Sequence, residues 1–224
     1  MRKLILFSLL LPLCVALVAC GDNPSSRLRV VHLSPDAPNV DVLVNGSKII
    51  SNVAYKNGSD YLKLSSGSTR LQVRPTGSST DVIDTTANLA SKQDYTAMAV
   101  GLAGSINPLL LTDDNSAPTS GNVKLRVVHA APSAPAVDVY LTAPGADLNS
   151  ATPQLTNVPF KGFSGYLQVP AGPYQARVTL AGTKTVAIDS GSLNFEAGQV
   201  RTVIAVDEAG GGPPFGLLVL RDLN

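Results

Sequence analysis

The chain has 224 residues, 17 Lys plus Arg against 16 Asp plus Glu, and a formal net charge of +1. With 15% charged residues and no basic or acidic block, it lacks the electrostatic field that nucleic-acid binding needs. Two cysteines, 19 Gly, 16 Pro and short alternating runs about every ten residues point to an all-β chain and argue against a disulfide framework.

Residues 1–19 read as a signal peptide. Arg2 and Lys3 give a positive start, and Leu4–Leu13 is almost wholly apolar. Leu17-Val18-Ala19-Cys20 resembles the bacterial lipobox. In that class the cysteine carries a diacylglycerol with fatty acyl chains such as palmitate and becomes the first mature residue. The plainer alternatives are an ordinary signal peptide with an incidental cysteine, or an uncleaved anchor helix. Loss of the leader removes Cys14, so a lipidated Cys20 would leave no thiol for an internal disulfide. Gly21 after Cys20 implies an outer-membrane address where the host has two membranes. Asp22 complicates that rule, and the facing side stays open. Cys20 to Ser26 form a tether; its six residues after the cysteine reach roughly 20 Å when extended.

A first unit is expected over residues 27–112. Strands are predicted at Arg27–Leu33, Val40–Val44, Ser51–Tyr55, Tyr61–Leu64, Thr69–Arg74, Asp81–Thr85, Tyr95–Val100 and Leu109–Thr112, with Asn45-Gly46 as a hairpin turn. Residues 113–122 are polar and turn-rich and read as a linker, short enough to keep the two units in contact or in limited motion.

Residues 123–224 repeat the plan. Leu28-Arg29-Val30-Val31-His32 returns as Leu125-Arg126-Val127-Val128-His129, and the match runs on through Val42 and Val139 without a gap. Farther on, Val53-Ala54-Tyr55-Lys56 becomes Val158-Pro159-Phe160-Lys161, and Ile83-Asp84 becomes Ile188-Asp189, after an insertion around Thr142–Thr152. The repeat predicts two tandem Ig-like or transthyretin-like antiparallel β-sandwich domains after a lipoprotein signal peptide.

Arg-Val-Val-His-x-x-Pro-x-x-Pro-x-Val-Asp-Val, followed by Val-x-Tyr/Phe and Tyr-Leu-x-Val-Pro-Ala-Gly-x-Tyr, resembles the bacterial domain-of-unknown-function family 4397, in two copies. The resemblance implies an exported or surface-attached protein and assigns no activity. Leu167–Tyr174 also resembles a tyrosine corner, whose hydroxyl pins a crossover between sheets. The first copy has Thr69 there, too short to span that distance.

The candidate site residues are the repeated motif, as a ligand-binding or structural element: His32, Pro35, Pro38 and Asp41, and His129, Pro132, Pro135 and Asp138. A histidine with a nearby aspartate suits general-base or metal chemistry. Strand alternation opposes a simple pair, since it points His32 inward with Leu28 and Val30 and Asp41 outward. The other reading is a semi-buried histidine bonding loop backbone. Pro35 and Pro38 fit either a polyproline ligand for a groove or stiffening of a loop between sheets.

One histidine per unit and no Asp-x-Asp-x-Asp loop leave no metal or cofactor expected. Asp113-Asp114 reads as a solvated turn, with a weak calcium site as the other option. Gly162-Phe163-Ser164-Gly165 lacks the Gly-x-Ser-x-Gly elbow, so no catalytic residue is assigned and a hydrolase is disfavoured. Gly210–Gly212 reads as a hairpin tip, not a phosphate loop. The resulting expectation is a non-enzymatic binding or structural module of the cell envelope. Its partners are the membrane, through lipid on Cys20, and an envelope protein or glycan. The alternative is a carbohydrate- or matrix-binding adhesin, weakened by 5% aromatics and no Trp.

Overall fold

The structure is a computed structural model that describes residues 24–222. The expected leader and Cys20, the expected lipidation site, lie outside the described residues.

The first unit contains β1 (Ser25–Leu33), β2 (Val40–Val44), β3 (Ser47–Val53), β4 (Leu62–Ser65), β5 (Gly67–Pro75), β6 (Ile83–Leu89), β7 (Asp94–Val100) and β8 (Asn107–Asp113). The second contains β9 (Asn122–His129), β10 (Val137–Thr142), β11 (Leu155–Val158), β12 (Leu167–Pro170), β13 (Gly172–Leu180), β14 (Val186–Phe195), β15 (Val200–Val206) and β16 (Gly216–Arg221). A single 3-10 turn, Ala103–Ser105, is the helical exception among the described residues. The chain is all-β, as its alternating runs imply. β1 begins at Ser25, so Ser25 and Ser26 belong to a strand and not to the tether. β3 starts at Ser47, earlier than the sequence suggests, because Asn45 (φ 50°) and Gly46 (φ 82°) turn the chain in two residues.

Each unit is a two-sheet sandwich. The first pairs its strands as β4-β1-β7-β8 and β3-β2-β5-β6, and the second as β12-β9-β15-β16 and β11-β10-β13-β14. Most neighbours are antiparallel. β1 and β7 run parallel, as do β9 and β15. A parallel pair needs a long crossover, and here the intervening strands β2 to β6 supply it.

Alternation along β1 explains the larger architecture. Leu28 and Val30 join Val42, Val44 and Leu71 in the core of the first sandwich. Val31 and Leu33 point the other way, into a second apolar cluster with Met98, Val100 and Leu111. That cluster continues into Val128, Ala130, Ile204 and Val206 of the second sandwich. The sheets holding β1 and β9 therefore pack face to face, and the molecule is four sheets deep. Inner strands are buried on both faces, which is why all seven residues of β15 are buried.

Candidate functional site

The repeated motif sits at the end of β1 and of β9. His32 and His129 are both buried. His32 Nε2 lies 3.2 Å from the Pro38 carbonyl, which can only accept, so the hydrogen is assigned to Nε2. Nδ1 then accepts from the Ser34 amide at 3.5 Å. His129 repeats this, with Nε2 3.1 Å from the Pro135 carbonyl and Nδ1 3.3 Å from the Ala131 amide. The rings meet Tyr55 and Phe160 edge-on at 6.3 Å. Burial lowers both histidine pKa values, only partly opposed by the bonds to Pro38 and Pro135.

Asp41 keeps the side of β2 that alternation predicts, opposite the core residues Val40 and Val42, but it is covered there instead of exposed. Its side chain is buried and accepts from the Asn52 amide (2.9 Å) and Thr76 Oγ1 (3.0 Å), with Lys48 Nζ at 2.5 Å. The Lys48 ammonium, with the Asn52 amide, holds its carboxyl below the usual range. Asp138 accepts from the amides of Asn157 (2.7 Å) and Gly182 (2.8 Å). The physical reason is a bulge. Register slips between Val40 and Val42 on β2 and between Val137 and Val139 on β10. Asn52 and Asn157 sit opposite at positive φ, and the aspartates bond the amides freed there. The motif does not bring His32 and Asp41 together as a bonded pair.

The prolines complete the loops. Pro38 and Pro135 offer their carbonyls to the histidines. The Pro35 carbonyl accepts from the Gly210 amide of the second sandwich at 2.8 Å. Pro132 precedes Ser133, whose amide donates to Asp207 at 3.3 Å. The glycine run at 210–212 thus lies in the β15–β16 connection and touches the first sandwich.

A second constellation escaped sequence reasoning. Arg29 is buried between the inner sheets. Its Nη2 donates to Asp222 Oδ1 (2.7 Å) and Thr96 Oγ1 (2.9 Å), and Nη1 to the Arg221 carbonyl (2.7 Å). Arg126 makes the reciprocal set: Asp113 Oδ1 (2.6 Å), Thr202 Oγ1 (3.0 Å) and the Thr112 carbonyl (3.1 Å). Tyr61 donates to Asp113 at 2.6 Å and Tyr166 to Asp222 at 3.2 Å. The Arg29 and Arg126 guanidiniums each lie 4.8 Å from the ring centroid of Tyr61 and Tyr166. Burial raises both tyrosine pKa values far above their ordinary range.

Asp113 is therefore no solvated turn; it ends β8 as a buried ion-pair partner. Asp114 beside it is held down to about 2, chiefly by Lys124 Nζ at 2.8 Å. The signal available in the sequence was the arginine itself, set in both copies inside an apolar strand.

Tyr174 donates to the Pro170 carbonyl at 2.8 Å and pins the step from β12 to β13 between sheets. Thr69 reaches only the Gly67 carbonyl, at 3.3 Å. Among the described residues, no group of three or more His, Cys, Asp or Glu is placed to hold a metal ion. Phe163 is 55% exposed on the loop before β12.

Among curated proteins, none matches this chain. Three solved structures are similar to it only distantly. The Bacillus anthracis TIE protein is 13% identical, over 83% of this chain and 34% of that one, with a TM-score of 0.26; this chain thus spans about a third of its length. The family CBM26 module CBMbc of Eubacterium rectale Amy13K, crystallised with maltoheptaose, is 10% identical, over 88% of this chain and 98% of that one, at TM-score 0.27. A structure titled for alpha-glucan binding by a streptococcal virulence factor is 11% identical, over 80% and 92%, also at 0.27. The family model described as Domain of unknown function (DUF4397) matches residues 26–140 and 142–224. Its division falls inside β10, not between the sandwiches, yet the two segments take in nearly every described residue of both. The chain belongs to the DUF4397 family.

Proposed function

We propose that this chain is a lipid-anchored cell-envelope protein that works as a non-enzymatic binding or structural module. The observation that carries the reading is where the motif's polar atoms go. Both ring nitrogens of each histidine, and the carboxylates of Asp41 and Asp138, are taken up by their own sandwich. A general base or a metal ligand needs a lone pair aimed at a substrate or ion. These groups are aimed at loop backbone instead. The motif shapes the end of each sandwich, and the loops there are the recognition surface.

Cys20 carries the lipid in this reading, and β1 follows within five residues, so the first sandwich stands close to the membrane. The test is fractionation with protease. Wild type should sediment with membranes and take up labelled palmitate, and Cys20→Ser should abolish that uptake. Intact cells treated with protease then assign the facing side against a periplasmic marker. A wild-type chain that takes up no labelled palmitate, or a Cys20→Ser chain that still does, overturns the lipid anchor.

The second reading is glycan binding at the exposed Phe163 ring, since flat apolar rings stack on sugar faces. A glycan array on wild type and Phe163→Ala separates it from the first. Binding that Phe163→Ala abolishes supports the second reading, and a blank array on wild type rejects it.

A further inference from the structure

The two sandwiches share a plan but are not filled alike. Between the sheets of the second lies a residual space of about 40 Å³. Between those of the first is a cavity of about 260 Å³. The difference follows from side chains at matching register. Ala87 faces Thr69 where Leu193 faces Tyr174. Ala97 pairs with Val30 where Val203 pairs with Val127. Pro108 stands opposite Ala99 where Leu217 stands opposite Ala205. At each position the first sandwich carries the smaller residue.

The cavity is a slot along the seam between β6 and β8. None of the residues lining it is charged, and Thr85, Thr86 and Asn88 supply its polar groups. Leu110 pairs with Ala97 and so points between the sheets, yet it is 37% exposed. An inward-facing leucine that water reaches marks the mouth.

We propose that this slot binds one unbranched acyl chain. A slot lined mainly by aliphatic side chains takes apolar guests, which displace the water at its mouth. At about 30 Å³ for a water-sized group, it accommodates on the order of nine carbons. Two sheets about 10 Å apart leave a flat slot that suits a linear chain better than a ring system. No charged side chain lines it to pair with a headgroup, which therefore stays outside. The second sandwich, with Leu193, Val203 and Leu217 in place, is the filled counterpart within the same molecule.

The inference rests on the proposed reading only in treating the chain as a binding module. It is independent of Cys20, so a failed anchoring test leaves it standing. The experiment is photolabelling of the full chain with decanoic acid carrying a tail diazirine, followed by peptide mapping. A phospholipid bearing the same group on its tail is the second arm and distinguishes a free fatty acid from a membrane lipid as the source.

Peptides containing Ala87 or Leu110 should label at least ten-fold more than those containing Leu193 or Val219. Ala87→Leu with Ala97→Val, which installs the second sandwich's residues, should remove that excess while circular dichroism stays unchanged. Should the double variant misfold, Ala97→Val alone should still cut labelling several-fold. Leu193→Ala should open the second sandwich and bring labelling to it. Even labelling of both sandwiches, no labelling with either probe, or a folded filled variant that labels like wild type would each overturn the proposal.

Discussion

Arg29 and Asp222 stand 193 residues apart in the chain and share a buried charged hydrogen bond of 2.7 Å between the inner sheets. Arg126 and Asp113 make the reciprocal contact at 2.6 Å. A buried pair costs desolvation to form, and removing one partner leaves the other charge stranded. Arg29→Ala should destabilise the chain by about 3–5 kcal/mol, read as a lower urea midpoint. Arg29→Met with Asp222→Leu should recover much of that loss. An Arg29→Ala chain as stable as wild type would show that the pair contributes nothing.

Acid should weaken the fold through the histidines first. Burial lowers the pKa of His32 and His129 in the folded chain, so the unfolded chain takes up protons at higher pH. Stability is then full above the ordinary histidine value of about 6.5 and falls as pH drops through it toward the folded values. Each histidine adds a slope of at most about 1.4 kcal/mol per pH unit. The lowered carboxyls of Asp41, Asp84, Asp114 and Asp189 act later, below pH of about 4. Melting temperature between pH 7 and 5 checks this. His129→Gln should flatten the decline, whereas an equally steep decline without His129 would rule out that origin.

Tyr174→Phe removes a hydroxyl that bonds the Pro170 carbonyl and leaves the ring in place. The expected loss is about 1 kcal/mol. Thr69→Val deletes the shorter-reaching bond at the matching place and should cost less. Equal losses in chemical denaturation would mean that the corner itself adds nothing.

Asp138→Ala leaves the amides of Asn157 and Gly182 without their acceptor. The expected cost is about 1–3 kcal/mol for each amide left unpaired. Asp138→Asn, which keeps an acceptor oxygen, should fall between the two. Hydrogen exchange at Asn157 and Gly182 supplies a local readout, and slow exchange persisting in Asp138→Ala would contradict the assignment.

Much of the sandwich was readable from local signals. Asn45-Gly46 announced its hairpin, alternation marked the strands, and the gapless repeat announced two units. What local signals cannot carry is the second burial of β1. A strand with one wet face and a strand between two sheets differ in their partners, and those partners lie far along the chain. Arg29 in Leu-Arg-Val-Val-His was the clue. Charge inside an otherwise apolar run means either an exposed face or a buried pair, and Asp222 alone decides which. Asp113 was misread for the same reason, since a polar residue beside Asp114, Asn115 and Ser116 looks like loop until Arg126 is placed against it. Asp41 obeyed alternation, but the bulge in the partner strand that buries it on its outer face is invisible in the pattern.

The reciprocity of the two arginine contacts also bears on ancestry. A chain with a single sandwich would carry both the arginine and the aspartate, and two copies of it would close a two-fold pair without further residues. Fusion of such a pair would keep the shared face while freeing the halves from being identical. Divergence would then fall on what the shared face does not need: one interior filled with Leu193 and Val203, the other left with Ala87 and Ala97.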